Sequence, residues 1–110
     1  MKLTVDTKTF ESYQKALIQE VIEQVRFKLF ESGFRDEELM TLTTNISHGV
    51  ASTIDDQANL QFEDDNYDDI HIHPYLTFKT SEDELIHCGE NAYSHEFVAD
   101  IVKKLFKKEN

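Results

Sequence analysis

Two stretches of helical periodicity flank a middle region that alternates with period two. This pattern predicts an α+β protein: a helical hairpin, a small three-stranded antiparallel sheet and a C-terminal helix, in the order α-α-β-β-β-α. Three observations carry the prediction. Apolar residues recur every three or four positions over residues 8–32, and again after Ser94. After Ala58 the spacing drops to two. Only three Gly and one Pro occur in 110 residues, which speaks against a loop-rich or repetitive architecture. A chain of this length buries roughly 65% of the surface its unfolded form exposes, so residues 1–110 are expected to form a single domain.

The first helix is read over residues 8–32. Phe10, Tyr13, Leu17, Val21, Val25 and Leu29 form its central line, widened by Ile18, Ile22 and Phe30. Asp6 or Thr7 is placed to cap its start, and Gly33 can take the left-handed conformation that ends a helix. A second helix opens at Asp36, with Glu37 and Glu38 favoured by the dipole in its first turn. Its expected apolar line is Leu39, Leu42, Ile46, Val50 and Ile54.

Leu60 and Phe62, then Ile70, Ile72, Leu76 and Phe78, then Leu85 to Cys88 read as three strands. A three-residue turn before Leu85 sets Phe78 opposite Ile86 and Leu76 opposite Cys88, giving one coherent buried face. Ser94 is placed to cap the last helix, whose apolar residues are Phe97, Val98, Ile101, Val102, Leu105 and Phe106.

Charge is the most informative functional feature. Between Arg35 and Lys79 lie 43 residues with no Lys or Arg and ten Asp or Glu. Residues 1–102 hold seven bases against 21 acids, while Lys103, Lys104, Lys107 and Lys108 close the chain. A field of this sign repels phosphates, so neither direct binding of nucleic acid nor attachment to anionic membranes through charge is expected. It attracts cations and basic protein surfaces. No apolar run approaches a membrane span, and Cys88 is the lone cysteine, so the sequence reads as cytoplasmic.

Two groups of residues could carry chemistry. The acidic segment Asp55, Asp56, Glu63, Asp64, Asp65, Tyr67, Asp68 and Asp69 is the candidate partner-binding surface, with Tyr67 as an aromatic anchor. Asp64, Asn66 and Asp68 imitate the start of a calcium loop. Asp69 stands where that loop needs Gly, and Tyr75 where it needs Glu. His71 and His73 sit two apart on a strand, and the hairpin register brings His87 to the same side, with Tyr75 and Thr77. Those three histidines are the candidate ligands of a metal such as zinc, with calcium the alternative at the acidic loop. Cys88 points opposite to His87 and reads as a structural thiol. His95 could approach Cys88 from the start of the last helix. His48 reads as part of a solvated or interface face.

The sequence thus points to a small acidic interaction domain without enzymatic activity. An inhibitor, an immunity-type antagonist or a nucleic-acid mimic would use dense carboxylates on a basic partner in this way. The alternative is a metal- or small-ligand-binding domain using the histidine and aspartate face. A homodimer through the first helix is also expected, because Ile18, Ile22, Phe27 and Phe30 make its stripe wider than a thin sheet needs.

Overall fold

A computed structural model describes residues 1–55, 73–90 and 92–107. It has the α+β architecture: strand β1 (Lys2–Val5), helices α1 (Thr7–Glu31) and α2 (Asp36–Ile54), strands β2 (Phe78–Lys79) and β3 (Glu84–His87), a 3-10 turn (Ser94–Phe97) and helix α3 (Val98–Lys107). The three strands are ordered β1-β3-β2. The sheet is mixed rather than purely antiparallel. β2 and β3 pair antiparallel with Phe78 opposite Ile86, the register expected from the sequence. β1 runs parallel to β3, from Lys2 opposite Glu84 to Val5 opposite His87. The strand expected at Leu60–Phe62 lies outside the described residues.

Local chemistry explains the boundaries of α1. The Asp6 carboxylate accepts the Thr9 amide at 3.1 Å. Hydrogen bonding from Thr9, its side chain before its amide, holds the Asp6 carboxyl below its ordinary range. A carboxyl depressed in the folded state adds stability above its unfolded pKa, and that contribution is lost as pH falls through the folded value. At the other end Gly33 takes φ +104°, its amide bonds the Phe30 carbonyl, and the Phe34 amide reaches back to the Leu29 carbonyl. Those paired bonds satisfy two carbonyls of the last turn. Asp36 does not cap α2 as expected. It stands at φ +54°, and Arg35 occupies the cap position, where its guanidinium donates back to the Phe30 and Phe34 carbonyls rather than capping α2.

The buried faces of the hairpin are rotated from the apolar lines read in the sequence. On α1 the buried residues are Phe10, Gln14, Ile18 and Ile22; on α2 they are Leu39, Thr43, Ser47 and Ala51. Both sets run at strict four-residue spacing, the ridge by which helices pack. Three small residues on α2 let the helices approach closely, so its larger Ile46 and Val50 turn out towards solvent. Ile18 and Ile22 are fully buried with Ala51, Val98 and Val102. These two isoleucines therefore belong to the core and are not available to a second chain. A second cluster, Phe10 with Ile86 and Ala92, joins α1 to the sheet, and the Phe10 and Phe78 rings meet at 5.4 Å.

The sheet hairpin turns through Ser81-Glu82-Asp83, with Asp83 at φ +61° and the Thr80 amide bonded to the Glu84 carbonyl. A three-residue hairpin of this kind asks for glycine at its left-handed position. Asp83→Gly should stabilise the protein by about 0.5–1 kcal/mol, read as a higher urea midpoint with an unchanged slope. A lower midpoint would show that the exposed contact of Asp83 with the terminal amine, at 3.6 Å, outweighs backbone strain.

The hydroxyls of Thr43 and Ser47 are buried without a hydrogen-bond partner among the described residues. Thr43→Val replaces one such hydroxyl by a methyl group of similar size, and should raise stability by about 1 kcal/mol. A loss of stability on denaturation would mean that this hydroxyl is bonded in solution.

Candidate functional site

The best-built polar constellation forms where α2 ends beside the 3-10 turn. Asp55 follows the last residue of α2, and its side chain is 0% exposed. One of its oxygens, Oδ2, accepts two bonds from His95: the backbone amide at 2.8 Å and Nδ1 at 2.6 Å. A carboxylate at the C-terminal end of a helix faces the negative pole of that helix. Asp55 instead accepts the His95 amide in the opening of the 3-10 turn, and so supplies from forty residues away the cap that the sequence assigns to Ser94. Ser94 is itself buried, and its Oγ accepts Gln14 Nε2 at 2.8 Å. That bond explains why a glutamine occupies the buried stripe of α1.

Two further rings border His95. His48 lies seven positions before Asp55, two helical turns back on the same face of α2, and its ring stands 5.5 Å from His95 at 78°. The Tyr93 ring is 6.3 Å away at 66°. An ionised carboxylate only accepts, so Nδ1 of His95 carries the proton and Nε2 is left as the basic nitrogen of the neutral ring. About a fifth of the His95 side chain, 22%, remains exposed. The arrangement orients one imidazole rigidly and leaves its other nitrogen as a donor of a lone pair.

The structure distributes the predicted site residues differently. Asp55 is turned inward, so its carboxylate is not part of an acidic face; the bonds to His95 offset the cost of its burial. Asp56, Glu63, Asp64, Asp65, Tyr67, Asp68, Asp69 and His71 lie outside the described residues. His73 is exposed at the start of the segment that leads into β2. His87 is buried, and its Nδ1 lies 3.0 Å from the Tyr75 hydroxyl. The Gly89 amide donates to the same nitrogen at 3.3 Å, so Nδ1 of neutral His87 is an acceptor and its proton sits on Nε2. His87 and Tyr75 share one side of the sheet, as the hairpin register predicts. Cys88 is half-buried against Phe10, Ile86 and Ala92, and its thiol donates to the Glu90 carbonyl at 2.9 Å.

Among the described residues no group of three or more His, Cys, Asp or Glu is placed to hold a metal ion. Nor is any helix among them long and apolar enough to cross a membrane. The Asp55–His95 pair went unread in the sequence because its members are forty positions apart and follow no local spacing. Comparison with protein-family models, curated proteins and solved structures found no match.

Removing the Asp55 charge should loosen the join between α2 and the 3-10 turn. Asp55→Asn is expected to cost about 2 kcal/mol in urea denaturation, the scale of bonds to a charged group. In the wild-type protein at neutral pH, nitrogen-15 NMR should find the proton of neutral His95 on Nδ1 and that of His87 on Nε2. The same tautomer at both histidines would contradict the hydrogen bonding described above.

Proposed function

We infer that this is a cytoplasmic interaction protein without catalytic activity, which uses its acidic middle segment to occupy a basic surface on a partner protein. The observation that carries this reading is how charge is divided along the chain. Residues 1–35 hold six bases and five acids, whereas residues 36–102 hold sixteen acids and one base, Lys79. A rigid scaffold with carboxylates concentrated in one part suits an inhibitor, an immunity-type antagonist or a mimic of nucleic acid. Each of these replaces phosphates on a basic surface.

Exposed carboxylates elsewhere in the fold support this reading. Glu37 and Glu38 on α2, Glu82 and Asp83 at the hairpin turn, and Glu90 beyond β3 are all exposed. Their carboxylates extend the negative field beyond the acidic run itself. The proposed contact set is Asp56, Glu63, Asp64, Asp65, Asp68 and Asp69, with Tyr67 as the apolar anchor. Asp55 drops out, since its carboxylate serves the interior.

The test is one variant in which Asp64, Asp65, Asp68 and Asp69 become Asn. Its fold should persist, with slightly higher stability as repulsion between like charges is relieved. The wild-type chain should retain a basic protein from native lysate and release it at raised salt. The variant should bind that protein with slower association and a flatter salt dependence, because long-range steering is lost. Equal affinity with the same salt slope would show that the acidic run only solubilises the protein.

A further inference from the structure

We propose that the far end of the α1–α2 hairpin is an interface between two copies of this chain, closed by two-fold symmetry. This inference does not rest on the acidic-segment reading, because it is argued from side chains around the α1–α2 turn. The surface is a cleft of about 820 Å³ between the end of α1, the start of α2 and the end of α3. Phe27 is 55% exposed there, Phe30 48% and Met40 37%, and Leu39 and Phe106 complete the apolar lining. Exposed aromatic and methionine side chains gathered in one concave patch are what the centre of an interface contains.

Charge identifies the occupant. The chain has two arginines, Arg26 and Arg35, and both line this cleft. Arg35 lies over the Phe30 ring at 3.5 Å and Arg26 over the Phe106 ring at 5.8 Å. The Arg26–Phe106 contact also brings the lysine-rich end of α3 to this end of the molecule. Asp36 and Glu37 line the same cleft. An apolar centre bordered by two bases and two acids is self-complementary. A two-fold axis through it sets the arginines of one copy near the acids of the other.

A molecule of net charge −11 repels its own kind over most of its surface. Ile46 and Val50 are also exposed, on a helix whose 43-residue neighbourhood in the sequence carries no base. At the cleft exposed apolar surface coincides with positive charge, so a second copy meets less repulsion there than over the acidic parts of the chain. A purely anionic ligand would meet Asp36 and Glu37 as well as the arginines, which disfavours it relative to a second copy.

Sedimentation velocity on the full chain over a range of concentrations tests this, with Phe27→Ser and Ile46→Gln as paired variants. Both residues are exposed, so both variants should fold, which circular dichroism checks. The wild-type protein should show a reversible species of twice the 12.9 kDa chain mass. Phe27→Ser should weaken dimerisation at least tenfold, and Ile46→Gln should leave it unchanged. A 12.9 kDa species alone at millimolar concentration overturns the proposal, as does a dimer that Ile46→Gln disrupts and Phe27→Ser does not. Saturable binding of dodecanoate to a strictly monomeric chain, abolished by Phe27→Ser, would assign the cleft to an amphipathic acid and equally overturn it.

Discussion

A carboxylate with no exposed surface must be answered by donors, and at Asp55 the oxygen Oδ2 accepts both the amide and Nδ1 of His95. Much of the architecture follows from this constraint. The end of α2 is fixed against the opening of the 3-10 turn, so α3 leaves at a set position and its Val98 and Val102 reach Ile18, Ile22 and Ala51. The Gln14–Ser94 bond makes the same join from the α1 side. Two buried polar contacts thus locate the C-terminal segment against both helices of the hairpin. Such contacts serve geometry more than stability, because polar groups lose nearly as much on leaving water as they gain from each other.

The hydrogen bonds also separate the environments of His87 and His95, the two more buried of the described histidines. His95 donates through Nδ1 to a carboxylate, whereas Nδ1 of His87 accepts from a backbone amide and lies within bonding distance of the Tyr75 hydroxyl. In the neutral rings the proton therefore rests on Nδ1 of His95 and on Nε2 of His87. Identical residues do different chemistry here because their neighbours decide where the proton rests.

Element identity was legible wherever punctuation was local. Asp6, Gly33 and the three-residue turn before Glu84 act within a few positions, and all appear as read. Which face of each helix is buried was less legible. Apolar spacing favoured Ile46 and Val50 on α2, but close approach to α1 selected the smaller Thr43, Ser47 and Ala51, a preference set by the opposing helix. β1 escaped notice because Lys2–Val5 is a four-residue edge strand, with Leu3 and Val5 more than half exposed. Nothing nearby in the sequence marks its partner. The Asp55–His95 pair was hidden for the same reason: long-range contacts leave no periodic trace. The acidic segment was conspicuous by composition, yet composition alone could not show that its first member turns inward.

The parallel pairing of β1 with β3 also bears on how the chain reaches its fold. Lys2 meets Glu84, so β1 cannot pair with β3 until some eighty residues have followed it. For a flexible chain, closing a loop of that size costs about 4 kcal/mol beyond a constant. The α1–α2 hairpin closes through a short turn and can form before the sheet exists. On a ribosome residues 2–5 leave the tunnel well before residues 84–87, with which they pair. During that interval Leu3 and Val5 lack the β3 edge, the state in which a short apolar segment most readily pairs with the wrong neighbour.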